Sequence, residues 1–234
     1  MKIAKKILLI IVLLSSLSGF SQISKTKNQA KYDYKKLHFG FSLGMNFMNF
    51  SIQPIKNMNS IPLIRTVESV AKPGFNLGIV SDLRLNRHFN LRFIPALAYT
   101  QRDIHFGMID ESTQENYTIV KQVESTFIEL PFSVKYRSTR VTNGRAYLLA
   151  GIKYNIDMVS QAKVEDKNLF KVKKHDFLYE LGFGVDVYFE FFKFSLEIKA
   201  SFGLNNILVN DDTQFTDIID KIYTKAFLLS FTFE

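Results

Sequence analysis

The sequence contains no cysteine and no tryptophan among its 234 residues. Without thiols it can form no disulfide, thiolate metal site, cysteine nucleophile or lipid-modified cysteine. It also has little charge of one sign. The formal charge is +8, but once Lys2, Lys5 and Lys6 at the extreme N-terminus are set aside, 27 basic residues face 22 acidic ones. Those positive charges are scattered, whereas a nucleic-acid reader carries a clustered basic stripe, so no nucleic-acid partner is expected. No apolar run approaches the ~20 residues of a membrane-spanning helix. The four histidines, His38, His88, His105 and His175, show no metal-ligand spacing. Asp211-Asp212 lacks the loop pattern of an EF-hand. No catalytic, cofactor-binding or metal-binding residue is assigned, and no cofactor is expected.

What the chain has instead is 23 Phe and 10 Tyr, and they alternate. In "FLYELGFGVDVYFEFFKFSLEIKASFGL", Phe177 to Leu204, the apolar set is first Phe177, Tyr179, Leu181, Phe183, Val185, Val187 and Phe189. Glu180, Gly182, Gly184 and Asp186 lie between them. After Phe191 the parity flips, and Phe194, Leu196, Ile198 and Phe202 alternate with Ser195, Glu197 and Lys199. A period of two is the mark of a strand with two unlike faces. A parity flip across a two-residue turn, Glu190-Phe191, is what an antiparallel hairpin produces. That register makes Asp186 diagonal to Lys193 and Glu180 diagonal to Lys199.

The start, "MKIAKKILLIIVLLSSLSGFSQ", has a basic region, a short apolar region and a small-x-small site at Gly19-Phe20-Ser21, so residues 1–21 read as a secretory signal peptide. Residues 22–36 read as a polar, basic periplasmic leader. From Leu37 to Glu234 the alternation predicts eight strands, near 37–48, 74–85, 89–105, 124–137, 146–156, 177–189, 192–204 and 222–233. Their connections alternate between short turns (86–88, 143–144, 190–191) and long loops (49–73, 107–122, 157–175 and 205–221). This is the pattern of an outer-membrane barrel. Ten or so residues per strand, at a ~3.3 Å rise and ~40° tilt, cover about 25 Å, the height of a lipid-facing band. The fold predicted is all-β: an eight-stranded antiparallel transmembrane β-barrel with a closed, side-chain-filled lumen, located in the cell outer membrane. The alternative is a secreted calyx with the two faces reversed.

Several local expectations follow. Arg92, Glu129, Lys135, Glu180, Asp186 and Lys199 should fill the lumen and pair. Pro95 and Pro131 fall inside strands and should each cause a bulge or a ladder gap. "GFSLG", Gly40 to Gly44, matches a nucleophile-elbow pattern, but that motif needs a strand–turn–helix. Here the alternation runs straight through Ser42, so small lumen-facing residues are the better reading. Phe215, Ile218, Ile219 and Ile222 recur at helical spacing, predicting a short amphipathic helix in the last loop. Loop 49–73 is rich in aliphatics, including Ile52, Ile55, Ile61, Ile64, Val67 and Val70. It should fold over the barrel mouth or dock on another protein.

The stretches "LHFGFSLGMNFMNFSI", "PGFNLGIVSDLRLNRHFNLRFIPALAY", "FIELPFSVKYRS", "YLLAGIKYNID" and "FLLSFTFE" resemble the PorT family of small outer-membrane barrels of Bacteroidota. The resemblance covers about 37–234, and prolines at the positions of Pro95 and Pro131 are usual in that family. It implies a non-enzymatic accessory or assembly role in the type IX protein secretion system, which exports proteins and supports gliding motility. It also implies outer-membrane lipid as the surrounding partner. Protein partners of the machinery would be met through loops 49–73 and 205–221 or through the leader. A barrel enzyme acting on lipid, with Ser42 and His38 on one face, and a generic structural barrel are the other readings.

Overall fold

Alternating faces become a structure only when the strand edges find partners, and here every edge does so by closing the sheet on itself. The computed structural model describes residues 27–55, 64–110, 115–160, 170–210, 213 and 215–234. Its strands are β1 Leu37–Pro54, β2 Ile64–Arg84, β3 Phe89–Phe93, β4 Ala96–Ile109, β5 Asn116–Arg137, β6 Gly144–Asp157, β7 His175–Tyr188, β8 Lys193–Gly203 and β9 Ile219–Phe233. Each pairs antiparallel with its chain neighbours, except that β3 and β4 lie end to end and both pair with β2 and β5; β1 pairs with β9 from Phe41↔Phe233 to Pro54↔Ile219, which closes the ring. The expected signal peptide and the start of the leader lie outside the described residues.

Nine strands make eight staves. β3 and β4 are one stave interrupted at Ile94-Pro95, with no register shift there against either neighbour. Proline has no N–H to give to the ladder. Pro95 still accepts from Ile79 N–H at 3.0 Å, and Pro131 from Ile94 N–H at 3.4 Å, so each proline costs only its own donated bond. Pro131 leaves β5 unbroken. The register shifts against β4 lie instead on β2, between Ile64 and Thr66 and between Ala71 and Phe75, the latter around Pro73-Gly74. The β7–β8 hairpin has the expected register, with Phe189 N–H bonded to Phe192 O and Asp186 opposite Ser195.

Along the staves the faces exchange roles. Near the short turns, Phe39, Phe41, Leu43, Met45 and Phe47 of β1 are exposed, while His38, Ser42 and Asn46 are buried. Further along, Met48 and Phe50 are buried, and the outward positions are Asn49, Ser51 and Gln53. β4 does the same. Leu97 faces out and Thr100 and Arg102 face in, and beyond them Ile104, Phe106 and Met108 are the buried set. On β9, exposed Phe227 gives way to outward Lys225 and Lys221, and inward Thr224 to Ile222. The outer wall is apolar where it meets lipid and polar where it meets water. The interior takes the opposite character at each height.

Three sequence-based expectations are corrected by this exchange. Most of loops 49–73 and 107–122 is strand: β1 reaches Pro54, β2 starts at Ile64, β4 reaches Ile109 and β5 starts at Asn116. In these stretches the period of two persists with its polarity reversed, which makes them look like loops. The last-loop helix does not form. Residues 215–218 make one turn, with Asp217 N–H bonded to Thr213 O, and Ile219 already belongs to β9. Ile218, Ile219 and Ile222 are buried with Phe50, Ile104, Phe106, Phe170 and Val172 in an apolar core that caps the loop end. Part of the aliphatic first loop and Asp211-Asp212 lie outside the described residues, but Ile64 is in this core and Ile52 and Val67 pack against it.

The faces of β7 set opposite tolerances at adjacent positions. Phe183 is 55% exposed on the lipid wall. Phe183→Arg is expected to cost about 2–4 kcal/mol of barrel stability, and Phe183→Leu almost nothing. A Cβ at Gly184 would lie 2.5 Å from Tyr147 Cζ and 2.7 Å from the Leu196 carbonyl. Gly184→Ala is therefore expected to cost about 1–3 kcal/mol by overpacking. Denaturant titration with heat-modifiable gel mobility measures both. Equal stability of Phe183→Arg and wild type would mean that lipid does not touch this face.

Candidate functional site

The lumen is too narrow for water to screen the charges within it, so each carboxylate placed there needs a cation within reach. The alternation puts Asp82, Arg92, Glu129, Lys135, Lys153, Glu180, Asp186, Lys193, Glu197 and Lys199 on inward positions, and all are buried. Arg92 is the hub. It is ion-paired to Glu197, lies 2.9 Å from Glu234 and reaches Asp82 at 3.7 Å. Tyr147 donates to Glu197 at 2.7 Å, and Lys193 holds the other Glu234 oxygen at 2.7 Å. Lys135 holds Asp186 at 2.9 Å, helped by Ser195 at 2.7 Å.

A second group lies above these. Lys153 pairs with Glu129 at 3.0 Å, and Asn76 donates to the other oxygen of Glu129 at 2.7 Å. Lys199 bridges Glu180 at 3.8 Å and Glu197 at 3.6 Å, which joins the two groups into one network. At the top Arg102, wholly buried, donates to Ser125 and lies over Phe50 at 4.3 Å and Phe127 at 5.4 Å. There the polar network ends and the apolar cap begins.

All six residues expected to fill the lumen do so and pair. Glu180 and Lys199 meet as their diagonal placement implied. Asp186 does not use Lys193; it takes Lys135 from β5, and Lys193 turns to the C-terminal side chain instead. Glu234 was not singled out as a lumen residue, although it continues the inward parity of Ser230 and Thr232. Ser42 is buried in the middle of β1 with no turn beside it. His38 is four residues away along an extended strand, about 13 Å. Its Nε2 donates to Tyr32 O at 2.9 Å, so the two do not form a nucleophile–base pair.

The turn end is closed by residues that the sequence reading placed in a polar, basic leader. Residues 28–31 form a turn and Tyr32–Tyr34 a single 3-10 turn that enters the barrel mouth. Tyr32 is buried. Its ring stacks on His38 at 3.9 Å and its hydroxyl donates to Glu234 at 2.9 Å. Asn28 is held by the Asn143 side chain at 2.9 Å and bonds the Tyr188 carbonyl at 3.0 Å. Asp33 is ion-paired to Arg145 and lies 3.5 Å from Arg140 and 3.9 Å from Arg137. Burial alone would raise the Asp33 carboxyl, but the hydrogen bond and charge of Arg145, with Arg137 and Arg140, outweigh it and hold it below the usual carboxylate range. No periodicity marks this segment, so only the fold reveals it.

Residues 20–209 match the family described as outer membrane protein beta-barrel domain. Among solved structures the chain is similar to OprG from Pseudomonas aeruginosa at 12% identity, over 91% of this chain and 98% of that one, with a TM-score of 0.46. It is also similar to Neisserial surface protein A at 11% identity, over 85% and 98%, with a TM-score of 0.42. Ail of Yersinia pestis is similar at 11% identity, over 85% and 99%, with a TM-score of 0.39. No curated protein matches the chain.

Two outcomes test the closed interior. In planar bilayers the purified protein should show no stable ion conductance; large, steady channels would mean an open pore. Arg92→Ala strands Glu197 and Glu234 without their shared cation, and should destabilise the barrel by about 3–5 kcal/mol. Denaturant titration in lipid checks this, and a shift under 1 kcal/mol would remove Arg92 as the hub.

Proposed function

Because the chain belongs to the outer membrane protein β-barrel domain family, and so is a β-barrel of the outer membrane, we propose that it is a non-enzymatic member of the PorT family serving the type IX secretion system. It acts as an accessory or assembly component and meets protein partners of that machinery at its two ends. The observation that carries this reading is the filled interior. Among the described residues an ion-pair network occupies the lumen, an apolar cap one end and the Tyr32 plug the other. What remains for function is surface. The largest is the loop end, where β1, β2, β4 and β5 extend beyond the apolar belt as a polar-walled turret. The secretion role itself rests on the resemblance of the "LHFGFSLGMNF", "FIELPFSVKYRS" and "FLLSFTFE" stretches.

In this reading the short turns and both ends of the mature chain are periplasmic, and the turret faces outward. Epitope tags placed in 55–65 and in 206–214 should be detected on intact cells. Detection only after lysis would invert the topology. A strain lacking the gene should lose export of type IX substrates and colony spreading, and the full-length chain should restore both. Normal export and spreading in that strain would leave a structural barrel as the better reading.

A further inference from the structure

The turn-end mouth has more cations than its one carboxylate can serve. Lys27, Arg84, Arg87, Arg137, Arg140 and Arg145 line a cavity of about 360 Å³ there, and Asp33 is the acidic residue among its lining. Three guanidiniums share that carboxylate at contact to 3.9 Å, and Arg84 has only carbonyls, those of Asp33 and Asn86. A guanidinium carries five N–H donors. Here Arg137 Nε, Arg140 Nη1 and Arg145 Nε are buried with no hydrogen-bond acceptor among the described residues, and the Arg137 and Arg145 side chains are more than nine-tenths buried. Asp186 offers Arg145 only a distant contact, 3.8 Å, and is already held by Lys135 and Ser195. Arg140 also donates to the Thr142 and Asn28 carbonyls and to Asn143 Oδ1, and it lies over the Tyr188 ring at 3.7 Å, but none of these acceptors is an anion. Arg92 Nε and Arg102 Nε and Nη1 also lack an acceptor deeper in the lumen, but only at the mouth do several such guanidiniums line one cavity around a single carboxylate among the described residues.

We propose that this mouth is a binding site for a phosphate group, whether carried by a lipid headgroup or free in solution, with Asp33 occupying part of the site as a tethered counter-anion. Planar guanidiniums recognise phosphate oxygens by paired donors, and a second anion beside Asp33 supplies the missing acceptors. The site also adjoins the exposed aromatic belt of that end, where Tyr34, Phe89 and Tyr136 stand at the rim, so a headgroup can reach it from the bilayer. The inference does not depend on the secretion role.

The test uses the full mature chain, folded in a nonionic detergent and titrated calorimetrically with inorganic phosphate and, separately, with short-chain phosphatidylglycerol. Saturable binding is expected, at least tenfold weaker in Arg137→Gln/Arg140→Gln, with folding checked by heat-modifiable mobility. Should that variant not fold, Arg87→Gln, on an exposed side chain, should still weaken binding about threefold. Asp33→Asn removes the competing carboxylate and should tighten phosphate binding several-fold. A tenfold preference for the lipid over inorganic phosphate would identify a headgroup as the source, and equal affinity free phosphate. Absence of saturation with both probes overturns the proposal, as does affinity unmoved by the arginine changes. So does Asp33→Asn weakening binding, since the cluster would then be only an anchor for its own N-terminal segment.

Discussion

The closure of β1 on β9 is the interaction on which the rest of the molecule depends. In hydrocarbon no solvent can satisfy a backbone N–H or C=O, so a sheet survives there only without edges. Closing eight staves satisfies that demand and creates a second one. The interior is too narrow for a water column, yet the outward face has taken the large apolar residues. What is left for the inside is small residues and charge, and that charge must be internally balanced. The run from Asp82 through Arg92, Glu197, Lys199, Glu180 and Lys153 to Glu129 is the result. Glu197, Lys199, Glu180 and Lys153 each bridge two partners and Arg92 three, so loss of one weakens the compensation of several others.

The same constraint explains why the interior changes character beyond the belt. Once the outer wall meets water, polar residues such as Asn49, Gln53, Lys225 and Lys221 can face out. The inner face is then free to bury Phe50, Ile104, Phe106 and Ile222 by ordinary hydrophobic packing. One ladder, with one hydrogen-bond pattern, passes through both regimes. Arg102 sits at the boundary, with its charge toward Ser125 and its guanidinium plane on Phe50 and Phe127.

This also accounts for what the sequence made legible. The period of two is a property of the strand, and it identified the staves, the β7–β8 register and the inward set of ion pairs. Polarity is a property of the solvent, and using it to mark strand ends misplaced the boundaries wherever the solvent changed. Thr66 to Val70 alternates in burial, with Val67 and Ser69 turned inward, but Val67 and Val70 fall on opposite parities, so the stretch carries no apolar period of two and read as loop. Ile218, Ile219 and Ile222 fit a helical face as well as a turn followed by a strand, and the tertiary partners Phe106 and Phe170 decided between them. Tyr32 and Asp33 carry no periodic signal. Their places are set by side chains 100 or more residues away, Arg145 and Glu234, which no local window contains.

The two ends of the barrel are therefore sealed by different physics. The loop end is closed by apolar side chains from five strands and two connections, an attraction that is non-directional and indifferent to ionic strength. The turn end is closed by one aromatic ring, one carboxylate and a few hydrogen bonds from a ten-residue segment entering from the chain's N-terminal side. Such contacts are screened by salt when partly exposed, and other anions compete for them. Asp33 is partly open to solvent and Tyr34 largely so, whereas the central residues of the apolar cap are buried. The seal at the mouth is therefore the more sensitive of the two to salt and to competing anions.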